Sequence, residues 1–352
     1  MSEARVTRDG LAGERPGRDA LFGNGMDGSA RKARRRGRGG ERRLVPDAEF
    51  TSYYGRPVVK APAWEAADIA GYLFLGGLAG AGSVLGAGAD LSGWRRTARA
   101  MKLSSLGAVS LSAAALIHDL GRPERFVNML RVFKPTSPMS VGSWLLALYG
   151  PLAGAAAASD VTGLLPRAGR AAALGAAAVG PAVATYTGVL LADTAVPAWH
   201  EGHREMPYLF GASAAGAAAG MALLAGPRAE NGPARRAAVL GTAAELVAMR
   251  ALRRRTGVIA ETYAAGTAGR LLRAAEGLGV AGAAGAALLG GRSRAAAALG
   301  GAALLAASAC TRFGIFHAGT ASARDPKYTV LPQRERLAER AEEAGRVAAL
   351  GD

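Results

Sequence analysis

The sequence predicts an all-α integral membrane protein, a bundle of about eight transmembrane helices behind a disordered basic arm. Three observations predict it. The 352 residues are 50% hydrophobic with mean hydropathy +0.14, yet they carry a formal net charge of +16. A membrane protein whose loops hold the charge reconciles those values; a soluble globular domain does so poorly. Apolar and basic residues are also segregated, with arginine crowding residues 1–45 and Ala, Gly, Leu and Val filling much of 66–316. Finally, residues 119–144, DLGRPERFVNMLRVFKPTSPMSVGSW, form a charged, proline-punctuated loop between two apolar runs long enough to cross a bilayer. Its charges need water or partners. Pro123, Pro135 and Pro138 forbid an uninterrupted helix there. The loop is therefore expected to cap one face of the membrane domain.

Residues 1–62 read as the disordered arm, because GLAGERPGRD and ARKARRRGRGGERRL combine Gly, Pro and Arg with little apolar surface. The arm lacks the apolar run of a secretory or twin-arginine signal, so it is expected to stay in the cytoplasm. Its arginine run, residues 31–43, reads as a topology determinant or a contact with anionic lipid; no nucleic acid partner is expected.

A membrane domain over 63–320 follows, with spans expected near 66–89, 103–118, 141–159, 171–192, 208–226, 235–251, 274–290 and 295–316. In the first span Gly76 and Gly80, then Gly82 and Gly86, make small-xxx-small faces for close helix packing. Trp94, Arg95, Arg96, Arg99 and Lys102 read as a basic turn before the second span. The sixth and seventh are the least apolar and need neighbours to hold them. Residues 321–352 read as a polar tail ending in a short amphipathic surface helix. Nothing reads as a strand. An even number of spans puts both termini on one side, with the 119–140, 194–207 and 252–273 loops. The basic arm tips that side to the cytoplasmic face of the cell inner membrane.

A single cysteine, Cys310, excludes an intrachain disulfide and a thiolate cage for zinc or an iron–sulfur cluster. Haem needs two axial histidines from facing helices, and of His118, His200, His203 and His317 only the first and last adjoin spans, so no haem is expected. H-E-G-H at 200–203 lacks the H-E-x-x-H spacing of a zinc motif. Ionisable groups within or at the ends of spans are the functional candidates, since each is costly unless it faces the bundle interior or water. They are Asp68, His118, Asp193, Glu245 and Glu276. His118, Asp119 and Arg122 fall within about one turn and are candidates for a hydrogen-bonded cluster serving as structural clamp, proton path or docking surface.

The 119–144 segment, followed by TYTGVLLADTAVPAWHEGHREMPYLFGASA at 185–214, resembles the NrfD / polysulfide reductase membrane-subunit family over roughly residues 60–320. The resemblance implies an eight-helix anchor that exchanges electrons and protons between menaquinone or another quinone and a ferredoxin-like iron–sulfur subunit, which serves a molybdopterin catalytic subunit. Matching the family pattern residue by residue puts Asp68 at its polar position and Tyr72 (or Gly71) where the family has a histidine. Tyr186 falls at its quinone-contacting tyrosine. Without that histidine, proton acceptance passes to Asp68 or His118. Asp119, Arg122, Asp193, His200 and Glu245 are left for a proton path or the docking of the iron–sulfur partner. The structural alternatives are that Tyr72 and Tyr186 are aromatic-belt residues and that Asp68 caps a helix. A secondary transporter or proton conductor, and a passive anchor without a quinone site, are the competing readings of the whole chain.

Overall fold

The computed structural model describes residues 5–7, 10–12, 58–120 and 128–351. Arg122 and most of the basic arm lie outside them. Two three-residue strands, β1 (Arg5–Thr7) and β2 (Gly10–Ala12), pair antiparallel, a small departure from the strandless reading. Everything else with regular structure among the described residues is helical. The chain divides into two compact units, residues 62–321 and residues 1–61 with 322–352.

Eight long helices build the larger unit: α1 (Ala66–Leu91), α2 (Arg95–Asp119), α3 (Pro138–Thr162), α4 (Pro166–Ala192), α6 (Met206–Ala225), α7 (Gly232–Arg255), α9 (Gly266–Leu288) and α10 (Arg294–Arg324). Short helices α5 (Pro197–Glu201) and α8 (Glu261–Ala264) interrupt two of the loops. Helix α11 (Lys327–Gly351) follows in the smaller unit. It runs much longer than the short tail helix expected, because RERLAERAEEAGRVAAL is built almost wholly of strong helix formers.

Seven of the eight long helices are apolar enough to cross a membrane; α7 falls short. Its Arg235, Arg236, Glu245, Arg250 and terminal arginines lower its hydropathy. Yet Ala234, Ala238, Gly241, Ala248, Met249 and Leu252 recur at helical spacing and are buried. That stripe packs α7 against α6 and α9. Alanines 218, 222, 238 and 286 with Leu223 and Leu304 form the core where α6, α7, α9 and α10 meet.

The basic turn before the second span is corrected: residues 95–102 are the first two turns of α2. They can be helical because their charges find partners. Lys102 Nζ lies 3.4 Å from Asp90 Oδ1 and 3.3 Å from Asp160 Oδ1, and Arg99 Nε lies 3.5 Å from Asp160 Oδ2. The end of α1, the start of α2 and the end of α3 are thus tied together.

Helix α1 packs on α2, α4 and α6. Its crossing with α4 is a backbone contact. A Cβ added at Gly80 would stand 2.3 Å from the Gly180 carbonyl oxygen, and one at Gly180 equally close to that of Gly80. No side chain fits on either side. At the end where α4 finishes and α6 begins, Arg255 clamps the loop to α7. Its Nε and Nη2 donate to the two carboxylate oxygens of Glu205, both at 2.6 Å, and Nη2 also donates to the Glu201 carbonyl.

Two predictions follow from these contacts. Gly80→Val or Gly180→Val must force α1 and α4 apart, costing about 1–3 kcal/mol, and should lower the midpoint of thermal unfolding in lipid or detergent. Burial alone would raise the Glu205 carboxyl, but the hydrogen bonds and charge of Arg255 hold it below the ordinary glutamate value. A depressed carboxyl stabilises the fold above its unfolded value of about 4.3 and loses that contribution as pH falls through its lower folded value. Thermal stability should therefore fall on acidification below about pH 4, and Glu205→Gln should lower stability at neutral pH while flattening that acid limb.

Candidate functional site

One end of the first four long helices encloses a cavity of about 100 Å³. The starts of α1 and α3 and the ends of α2 and α4 meet there. Its walls are mostly apolar, from residues such as Ile69, Leu73, Leu116 and Leu190, with the phenols of Tyr72 and Tyr186 as polar groups deep within it. Tyr72 is 2% exposed and Tyr186 8%. Their hydroxyls hydrogen-bond each other across the α1–α4 interface. Ser112 of α2 donates to the Tyr72 carbonyl at 3.1 Å. A Cβ on Gly142 of α3 would come within 2.4 Å of Tyr186 Cε2, so the bare backbone there leaves the space that the ring occupies.

Asp68 lies four residues before Tyr72 on α1, one helical turn toward the helix start. Its Oδ2 is 2.7 Å from His118 Nδ1, the neighbouring end of α2. The Asp68 side chain is 18% exposed and that of His118 77%. This pair therefore joins a half-buried carboxylate to solvent. Neither residue lines the cavity; both lie one turn outward from the phenols. Asp119 does line it, and its carboxylate also faces the backbone N–H of Glu65 at the start of α1.

The four residues assigned to quinone from the sequence, Asp68, Tyr72, Tyr186 and His118, thus form two hydrogen-bonded pairs at one end of the bundle. Gly71, the other candidate for the histidine position, has open space where a side chain would begin. The expected cluster of His118, Asp119 and Arg122 divides. His118 turns to Asp68, Asp119 turns to the cavity, and Arg122 is outside the described residues. Asp193 follows the last residue of α4 and is exposed. Exposed His200 points its Nδ1 at the Ala192 carbonyl, 3.2 Å away. No hydrogen bond or ion pair among the described residues joins Asp193 or His200 to the cavity. Trp199 beside them is fully buried, stacked on Trp64 and donating its indole N–H to the Ile315 carbonyl at 2.9 Å. It anchors the loop from within.

Glu245 lies elsewhere, among α6, α7, α9 and α10. Its Oε1 accepts from Thr311 at 2.5 Å. Beside it stands a residue the sequence reading missed, Arg312, which has no exposed surface. The signal was present in TRFGIF, an arginine inside the last apolar run.

Chemically, the cavity offers an apolar slot with a phenolic donor–acceptor and the Asp119 carboxylate on its wall, and a carboxylate–imidazole pair stands one turn outside it. Such a volume is below the roughly 300–1,000 Å³ of sites that enclose a drug-sized ligand. It suits a ring-sized head with the rest of the molecule left in lipid. Among the described residues, no group of three or more His, Cys, Asp or Glu is placed to hold a metal ion.

Residues 61–254 match the family model described as NrfD, polysulphide reductase. No curated protein matches the chain. The match covers more than half the chain and takes in α1 to α7 with the whole of the cavity. The chain belongs to the NrfD polysulphide reductase family.

Proposed function

We propose that this protein is the quinone-reactive membrane subunit of an oxidoreductase complex, exchanging electrons and protons between a membrane quinone and an iron–sulfur partner subunit that serves a molybdopterin catalytic subunit. The observation that carries the reading is the buried Tyr72–Tyr186 pair on the wall of an apolar cavity, one turn from the Asp68–His118 pair. A quinol bound there supplies two electrons and two protons. The residues of this chain position it and move the protons. Because the two phenols bond each other, one of their two hydroxyl protons is engaged within the pair. The other is available to a ring oxygen, so the pair fixes one edge of the head. Asp68 stands next in line as a base. His118, bonded to it and exposed, passes the proton to water.

Menaquinone or another quinone with an isoprenoid tail fits an apolar slot that opens at the bundle end. The iron–sulfur partner docks on that same end, where Asp193 and His200 are exposed. The subunit lies in the cell inner membrane with its N-terminus in the cytoplasm, anchored by anionic lipid around its arginines.

In the purified complex, Asp68→Asn and Tyr186→Phe should each lower quinone-coupled turnover by about 10²-fold while dye-linked activity of the catalytic subunit is retained. Wild-type quinone activity in both variants would reject this site. Gly142→Ala pushes the Tyr186 ring from its place and should cut quinone-coupled turnover by up to about 10²-fold as well, without loss of the assembled complex. His200→Ala should reduce the iron–sulfur subunit recovered with this chain on affinity purification; full recovery would move the docking surface elsewhere.

A further inference from the structure

The second four long helices contain a site that the quinone cavity does not use. Arg312 of α10 is wholly buried, its guanidinium 3.8 Å above the centre of the Phe210 ring. Its Nη2 donates to the Phe210 carbonyl at 2.7 Å. Nε and Nη1 have no hydrogen-bond partner. Helix α1 makes room for the group. A Cβ on Gly77 would stand 3.2 Å from Nη2, so a side chain at that position would press on the guanidinium.

An arginine kept only as a clamp would have its donors filled, since each unfilled donor in a bilayer core costs free energy. The group that answers this charge is Glu245 of α7, on which Arg312 acts electrostatically. Every element packed around the carboxylate contributes a polar group. Helix α10 gives Thr311, whose hydroxyl donates to Oε1, together with Arg312 itself. Helix α6 gives uncharged Ser213, in turn hydrogen-bonded to Ser308 at 2.9 Å. Helix α9 gives Glu276. Among the described residues, the charged groups that act on Glu245 are Arg312 and Glu276.

A polar path leads from the carboxylate toward the end of α7. Glu245, Glu276, Thr242 and Thr311 line a common cavity of about 10 Å³, close to the room one water molecule needs. Glu276 is partly exposed and pairs with Arg253 at 2.9 Å, near the end of α7. Glu245 lies about ten residues inside that end, some 15 Å along the helix and so near the middle of a hydrocarbon core of about 30 Å.

We propose that Glu245 is a proton-exchange site in the middle of the membrane, loaded through the Glu276 cavity from the end where α7 finishes, with Arg312 as its fixed positive neighbour. One proton passes from water at Glu276 to the Glu245 carboxylate and back; Arg312 stays charged throughout. The site is separate from the quinone cavity, and the proposal does not rest on the quinone reading.

The test uses the full chain in lipid nanodiscs without quinone. Infrared difference spectra taken as pH is stepped should contain a protonated-carboxyl C=O band that is lost in Glu245→Gln. The pH at which the band appears should move in Arg312→Gln. In Thr311→Val, which keeps the fold of the helix while removing the hydrogen bond to Oε1, the band should shift in frequency. A hydrophobic carbodiimide, which attacks protonated carboxyls within lipid, should modify Glu245, and mass spectrometry should find that adduct falling away as pH rises. The proposal is overturned if no band or adduct depends on Glu245 over the pH range in which the protein stays folded. It is equally overturned if both follow Glu276→Gln while persisting in Glu245→Gln.

Discussion

The contact on which the arrangement depends is the touching of two bare backbones, Gly80 of α1 and Gly180 of α4. Lipid tails are as apolar as leucine, so burying side chains between helices gains little; close approach and dispersion supply the association. With glycine on both sides α1 and α4 come to van der Waals distance. Eight residues before Gly80 and six after Gly180, their phenols then meet tip to tip. A wider crossing would part Tyr72 from Tyr186 and leave two buried hydroxyls unfilled. The second half of the bundle uses the same device. A Cβ at Gly220 of α6 would meet the Gly301 carbonyl oxygen of α10 at 2.6 Å, and one at Gly282 of α9 would meet that of Gly300 at 2.8 Å.

At the opposite end, arginine does the work that capping residues do in soluble helices. Arg235 of α7 donates from Nε to the Ala286 carbonyl at 2.9 Å and from Nη2 to that of Ala287, near the last turn of α9. Arg294 donates to the Leu223 and Leu224 carbonyls at the end of α6. Those carbonyls lie in the last turn of their helices, at the negative end of the helix dipole, so a cation placed there adds a donor and neutralises that charge. Part of the positive charge of the membrane domain thus sits on its own helix ends.

The helices were legible because spans of this length need about 20 mostly apolar residues, and the sequence supplies them between charged loops. What it hid were the places where a partner changes the rules. Residues 95–102 look like a turn because four of the eight are basic, and they are helical because Asp90 and Asp160 receive Lys102 and Arg99. Helix α7 looks marginal because its hydropathy averages two unlike faces. Asp68 with His118, and Tyr72 with Tyr186, are 50 and 114 residues apart in the chain. Their nearness was readable through the family pattern and through the matching of helix ends, not through local spacing. Arg312 escaped because an arginine close to the end of an apolar run reads as a charge reaching back to the interface. Only the fold reveals that it turns inward against Phe210.

The tyrosine at position 72, where the family resemblance implies a histidine, changes what the inner wall of the cavity can do. An imidazole with an ordinary value near 6.5 serves as a base at neutral pH, whereas a phenol near 10 is a donor there. Two phenols bonded to each other can hold a ring oxygen and relay a proton along their hydroxyls, but neither can keep one. Basicity has to be found elsewhere on the same strip of helix surface. The next carboxylate along α1 is Asp68, one turn outward, and its partner His118 faces water. In the function proposed for this site, the proton acceptor then stands about 6 Å along α1 from position 72, at the border with solvent, and orientation of the head falls to the phenol pair.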